Sequence, residues 1–284
     1  MSLVTSSELL GKAEKGGYAV GAFNCNNMEI VQAIIEAAEE ERSPVIIQAS
    51  QGAIKYAGLR YITALVREAA QFSKVPVALH LDHGTDFQQV INCLRSGFTS
   101  LMFDGSHLPL EKNIEITRKI VEVAHAAGVS VEGELGRLGG TEDEISVSER
   151  ESFFTDPQEA ATFVRETGID AFAPSIGTAH GLYRGKPKLD FPRLQKIREL
   201  TGAPLVLHGS SGVPGEDIRR AIELGVRKVN IDTDIRAAFV GEIRRALACD
   251  AREIDPRKVL GPARIKAAEV IREKIRLFGS QGQS

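Results

Sequence analysis

Only three cysteines, Cys25, Cys93 and Cys249, occur in the chain, far apart and without a C-x-x-C pair. An odd, scattered set argues against a disulfide framework and against a cysteine zinc site, and fits the reduced thiols of a cytoplasmic protein. No apolar run approaches the twenty or so residues needed to cross a bilayer, and the N-terminus lacks a basic region followed by an apolar core. Neither a membrane span nor a signal peptide is expected. A net charge of −3, from 35 Lys and Arg against 38 Asp and Glu, offers no electrostatic case for nucleic acid. The first apolar run is not followed by Gly-x-Gly-x-x-Gly, which disfavours a doubly wound dinucleotide-binding sheet.

What the 284 residues do contain is alternation. Apolar β-like runs at 19–24, 45–49, 75–81, 100–104, 129–135, 171–176, 204–208 and 228–232 are separated by stretches of helical periodicity, at 28–42, 60–72, 86–95, 111–127, 157–167, 189–200 and 215–224. Eight β/α units in a chain of this length predict one α/β domain over 1–284, a closed (β/α)8 TIM barrel. An extra C-terminal helical segment, about 255–284, carries an amphipathic helix at 264–278 outside the eight units. Two long Gly-containing connections, 136–156 and 177–188, have the length of binding loops or lids.

Active sites of such barrels lie at the carboxyl ends of the strands. Those ends read Asn24, Ser50, Asp82 and His83, Asp104, Glu134, Ser175 with His180 soon after, His208, and Asn230 to Asp232. His83, His180 and His208 are three nitrogen ligands that leave a metal position open to substrate; Asp104 and Glu134 add oxygen donors. Within His80-Leu81-Asp82-His83-Gly84, strand alternation puts His80 and Asp82 on one face and leaves His83 on the other, or turned inward at the Gly84 bend. His80 then supports the site from below, His125 is a packed or surface residue, and His107 is a supporting one. His208-Gly209-Ser210-Ser211-Gly212, ahead of a helix near Pro214, and Asn230-Ile231-Asp232-Thr233 stand where barrels hold phosphate. No lysine ends a predicted strand, since Lys55 lies beyond the second and Lys228 begins the eighth. A Schiff base lacks its nucleophile, and a metal Lewis acid would take its place.

These segments, together with Gly21-Ala22-Phe23-Asn24, Asp104-Gly105-Ser106-His107, Glu132-Gly133-Glu134-Leu135-Gly136, Gly139-Gly140-Thr141-Glu142-Asp143, His180-Gly181 and Asp255-Pro256-Arg257, resemble the class II, zinc-dependent ketose-bisphosphate aldolases over essentially the whole chain. The resemblance implies reversible cleavage of a ketose 1,6-bisphosphate to dihydroxyacetone phosphate and glyceraldehyde 3-phosphate. It implies catalytic Zn2+ on His83, His180 and His208, a second divalent position at Asp104 and Glu134, Asp82 as acid/base at the C4 hydroxyl, and Glu142 as proton carrier for dihydroxyacetone phosphate. Gly181, Gly209, Ser210, Ser211, Asn230, Ile231, Asp232 and Thr233 match the phosphate-binding segments, assisted by Na+ or K+. Asn24 belongs to the substrate site, and Ser50, Asp255 and Arg257 match positions for the far end of the sugar. The last two reach in from a neighbouring subunit of a homodimer or homotetramer. Ser210 stands where the family often has Gly or Ala, and Thr141 where some members have Glu. The compact length resembles the fructose-bisphosphate enzymes more than the tagatose-bisphosphate ones, and the motifs leave the C4 epimer open. A sugar-phosphate-binding barrel without catalysis and a metal-dependent barrel hydrolase are the rival classes.

Overall fold

The computed structural model describes residues 3–136, 139–142, 145–147, 154–181, 183, 185 and 187–284, with backbone alone for 139–142 and 145–147. Eight parallel strands close into a barrel in chain order: β1 (Val20–Asn24), β2 (Val45–Ser50), β3 (Val77–Gly84), β4 (Ser100–Phe103), β5 (Ser130–Leu135), β6 (Ala171–Pro174), β7 (Leu205–Leu207) and β8 (Val226–Ile231). The ring closes through β1 on β8, with Val20 opposite Lys228. All eight expected strands are present.

Two-residue alternation sorts each strand into an outer and an inner set. Phe23, Ile47, Leu79, Leu101, Val131, Phe172, Leu205 and Val229 face the helices in the main apolar layer. Val20, Ala22, Ile46, Ala78, Ala171, Ala173 and Val206 point into the barrel, where they pack with Leu9, Leu10 and Ala13. Small alanines inside leave room for that second group, which belongs to an N-terminal helix, Ser6–Gly16, plugging the bottom of the barrel. Leu9 and Leu10 are fully buried there, each contributing roughly 1.5–3 kcal/mol by removal from water.

Further up the axis the inner positions become polar. Ser100, Ser130, His80, Glu132 and Lys228 are all buried, and above them come Asn24, Gln48, Asp82, Asp104 and Glu134. The barrel interior is thus apolar at its foot and ionisable towards its mouth.

Several elements differ from the sequence expectation. Three helices lie outside it: Ser6–Gly16, the short Gln51–Ala57 and Thr233–Cys249. The first buries only a few side chains, and the third buries just Ile235 and Phe239, so their periodic signals are weak. The last helix begins at Pro256 rather than 264, running to Phe278. Gly261 and Pro262 read as a break, yet the helix passes through them and packs on helices Met28–Glu40 and Thr233–Cys249. Lys228 is the third residue of β8, not its first. Two short strands, Gly139–Glu142 and Ile145–Val147, form a hairpin within the long connection after β5, and Gly140 pairs in parallel with His180. Among the described residues, no helix is long and apolar enough to cross a membrane.

His80 carries a stability prediction. Burial, reinforced by the neighbouring Lys228 ammonium, pushes its imidazole well below the usual histidine value. Between that depressed value and about 6.5, the unfolded chain takes up a proton that the native chain refuses. Stability is therefore retained above about pH 6.5 and lost as pH falls below it, by up to about 1.4 kcal/mol per pH unit. The metal-free protein is expected to show a Tm that is level above pH 7 and falls between pH 6.5 and 5. A level Tm across that lower interval would contradict a neutral buried His80.

Candidate active site

His83 has a left-handed backbone, φ 47°, unusual for a residue other than glycine. The pairing of β3 with β4 shifts register between Leu81 and Gly84 at the same place. A regular strand would send His83 outward beside Leu81; the left-handed residue turns its ring into the barrel mouth. The bend expected at Gly84 therefore lies in His83 itself. Strain of this kind costs of order 1–3 kcal/mol and persists only where the surroundings enforce it. Gln51 does so, donating from Nε2 to the His83 carbonyl oxygen at 2.6 Å and to Thr85 Oγ1 at 2.9 Å.

Three imidazoles meet at the mouth. His83 lies edge-on to His180 and His208, with ring centroids 5.0 and 4.6 Å apart, and one nitrogen from each of the three falls within 4.8 Å of the others. The carboxylates around them decide which nitrogens face inward. Asp104 Oδ2 accepts from His83 Nδ1 at 2.9 Å, and Glu132 Oε1 accepts from His208 Nε2 at 2.8 Å. With those protons committed, His83 Nε2 and His208 Nδ1 turn towards each other at 2.9 Å. Two imidazole nitrogens aimed at one point, with a third beside them and an open side towards the mouth, is a donor set that fits zinc. His83, Asp104 and Glu134 form a second, deeper group of potential ligands.

Electrostatics suit ligation. Burial holds the His208 imidazole below its ordinary value, favouring the neutral, metal-binding form. Burial would raise the Asp104 and Glu132 carboxyls, but hydrogen bonds from His83 and Ser106 to the former, and the Lys228 ammonium and His208 beside the latter, hold both well below the usual carboxylate range.

Asp82 is fully buried beside this cluster. Its Oδ2 accepts from Asn24 Nδ2 at 2.8 Å and Gln48 Nε2 at 3.1 Å, and its Oδ1 from Asn230 Nδ2 at 3.3 Å. The same Asn230 amide lies 3.2 Å from His208 Nδ1, so one side chain spans the carboxylate and the imidazole cluster.

A polar recess adjoins on the β7 and β8 side, lined by His180, Gly181, Gly209, Ser210, Ser211, Asn230, Asp232 and Thr233. Ser210 Oγ donates to the Leu207 carbonyl, and Ser211 Oγ accepts from the Asp232 and Asp234 amides, so both hydroxyls brace the two loops. Gly209 has φ 60°, and an added Cβ would sit 2.5 Å from the Ala179 carbonyl oxygen, next to His180. Gly209→Ala is expected to lower Tm by roughly 2–8 °C, from about 1–2 kcal/mol of strain, and to cut turnover more than the same change at other loop glycines. Thermal melts and steady-state assays on the variant check this.

The remaining expected residues make other contacts within the chain. The Ile231 side chain lies in the apolar layer outside the barrel, leaving its main chain to the mouth. Ser50 is buried and caps helix Gln51–Ala57, accepting from the Ala53 amide. Asp255 caps the last helix and pairs with Arg257, whose side chain is 89% exposed. Glu142 has its backbone on the hairpin strand, and its side chain lies outside the described residues. His107 is exposed, and His125 pairs with Asp170 at the surface. Four site residues are not singled out by the sequence: Gln48, Glu132, Lys228 and Arg236, the last paired with Asp232 at the edge of the recess. Gln48 and Glu132 are two residues before expected strand-end positions, and that spacing is the signal that could find them.

Fold and site together define a (β/α)8 barrel with a metal-type donor set and a buried carboxylate at the carboxyl ends of its strands. The family model for class II fructose-bisphosphate aldolases matches residues 4–283. A fructose-bisphosphate aldolase of Thermus caldophilus is 49% identical over 305 aligned residues, covering 99% of this chain and 100% of the relative. One from Geobacillus stearothermophilus is 48% identical, covering 100% and 99%. Among solved structures, the YdjI aldolase of Escherichia coli K12 superimposes with a TM-score of 0.87 at 34% identity, covering 99% of each chain. The chain belongs to the class II fructose-bisphosphate aldolase family, a family of aldehyde-lyases.

Proposed function

We propose that the protein cleaves fructose 1,6-bisphosphate reversibly to dihydroxyacetone phosphate and glyceraldehyde 3-phosphate, with zinc held by His83, His180 and His208. The observation that carries this reading is the Asn230 amide, which joins the Asp82 carboxylate to the imidazole cluster and so sets a proton acceptor beside the metal-type site. Zinc, when bound, supplies a Lewis acid for the ketose carbonyl. Asp82, lined by three amides, takes the proton of the C4 hydroxyl as the C3–C4 bond breaks, releasing the aldehyde. Glu142 then delivers a proton to the carbon that was C3 of the ketose, giving dihydroxyacetone phosphate. The recess at Gly181, Gly209 to Ser211 and Asn230 to Thr233 holds the adjacent phosphate through main-chain N–H groups, with Na+ or K+ as counter-ion. His83, Asp104 and Glu134 offer a resting position for a second divalent ion.

A homodimer or homotetramer accounts for Asp255 and Arg257. They sit beside Ile254, which is 93% exposed, and the Arg257 side chain is itself open to a neighbouring subunit. A reducing, cytoplasmic setting suits the free cysteines; burial pushes the Cys25 and Cys93 thiols up to about 12.

The test is triose phosphate release from fructose 1,6-bisphosphate before and after EDTA. Release that stops with EDTA and returns with Zn2+ is expected, and full activity after chelation would refute the metal assignment. Turnover of tagatose 1,6-bisphosphate in the same assay, at a rate equal to or above that of fructose 1,6-bisphosphate, would move the assignment to the other C4 epimer.

A further inference from the structure

Beneath the imidazole cluster the barrel axis holds a continuous chain of buried polar groups. Glu132, Lys228 and His80 occupy inward positions on β5, β8 and β3, with exposures of 2%, 0% and 0%. Glu132 uses its two oxygens differently: Oε1 accepts from His208 Nε2 at 2.8 Å and Oε2 accepts from Lys228 Nζ at 2.8 Å. Lys228 Nζ also donates to His80 Nε2 at 3.3 Å. His80 Nδ1 then donates to Ser100 Oγ at 2.7 Å, which meets Ser6 Oγ on the N-terminal plug at 2.7 Å.

Hydrogen-bond polarity fixes this chain in one sense. Lysine donates only, so His80 Nε2 accepts and its Nδ1 carries the proton. A carboxylate accepts only, so His208 must present an N–H to Glu132 from Nε2, which leaves Nδ1 as the nitrogen facing the mouth. A buried carboxylate and a buried ammonium each carry a heavy desolvation cost, and a pair in this position is weak evidence for stability. Replacing both with apolar residues is the cheaper way to build a core. The pair instead lies directly under one imidazole of the site and determines its tautomer.

We propose that Glu132 and Lys228 are positioning residues that lock His208 as the Nε2–H tautomer and aim Nδ1 at the metal. This rests on the metal reading above for its consequence, while the tautomer itself concerns only side chains of this chain. Lys228 keeps Glu132 in place as an acceptor, and Glu132 keeps His208 in register. Neither touches substrate.

The test uses Glu132→Gln, Lys228→Met and the double variant, with three measurements: Tm, Zn2+ affinity by competition with a chromophoric chelator, and the His208 tautomer by 15N NMR of the metal-free protein. The wild type should show His208 as a single Nε2–H tautomer. Glu132→Gln, whose amide can present either O or N–H, should show mixed tautomers and bind Zn2+ about 10–100-fold more weakly. The double variant removes both charges together and should regain most of the Tm lost by either single variant, yet stay at least about tenfold weaker for Zn2+. A double variant with wild-type Zn2+ affinity and a single Nε2–H tautomer would show that the pair is merely structural, and so would overturn the proposal. An Nδ1–H tautomer in the wild type would overturn it as well. If His208→Ala left Zn2+ affinity intact while the wild-type tautomer was Nε2–H and Glu132-dependent, the metal assignment would fail and the tether would stand.

Discussion

Replacing His208 with alanine is expected to strip zinc from the protein and lower turnover of fructose 1,6-bisphosphate by roughly 10³–10⁴-fold. Lewis-acid stabilisation of developing charge is worth several kcal/mol, and about 1.4 kcal/mol corresponds to a factor of ten in rate. In the proposed zinc site His208 supplies one of three nitrogens, and the two left in its absence cannot complete a four-coordinate site with one position for substrate. The change also leaves Glu132 without its imidazole donor, so some loss of Tm accompanies it. Metal content after gel filtration, measured beside Tm and turnover, separates the effects. A folded variant that retains stoichiometric zinc would remove His208 from the ligand set.

Asp82→Ala should reduce turnover by about 10²–10⁴-fold, the range for loss of a positioned acid/base, while leaving zinc content unchanged. Alanine is the informative replacement. Asn24 and Gln48 direct amide N–H groups at Asp82 Oδ2 and Asn230 directs one at Oδ1, so an asparagine here would keep one oxygen as acceptor and set its own NH2 against at least one donor. With alanine the three amides lose an acceptor but can turn to water from the mouth. A fall in turnover accompanied by loss of zinc would recast Asp82 as structural support for the imidazoles. Unchanged turnover would place the proton transfer on another group.

Much of this site is legible in the order of residues alone. Asp82, Asp104, Glu134, His208 and Asn230 stand at or near the ends of β-runs widely separated in sequence, and only a closed barrel brings eight such ends to one mouth. Glu132 and Lys228 are not legible as functional. A lysine near the start of a strand and the first Glu of Glu132-Gly133-Glu134 look like ordinary charged residues until the barrel stacks them one pleat below the mouth, 2.8 Å apart. His83 lies between the two cases. Its residue type points to ligation, but alternation along β3 places it on the wrong face, and its left-handed φ of 47° depends on Gln51 and on the register shift against β4.

The sequence by itself determined the number and order of strands, the closure of the barrel and the residues at its mouth, because two-residue alternation and apolar run length are local properties that any chain must express to bury a parallel sheet. Tertiary structure alone decided three further matters. The N-terminal helix fills the foot of the barrel because alanines on several strands jointly leave a space, which no single segment encodes. Asp255 and Arg257 pair with each other at the start of the last helix because that helix begins at Pro256 and runs unbroken through Gly261 and Pro262. The protonation pattern beneath the imidazoles follows from Glu132, Lys228 and His80 meeting on the axis, where the ammonium can only donate and the carboxylate only accept, so the direction of each hydrogen bond is set by its neighbour.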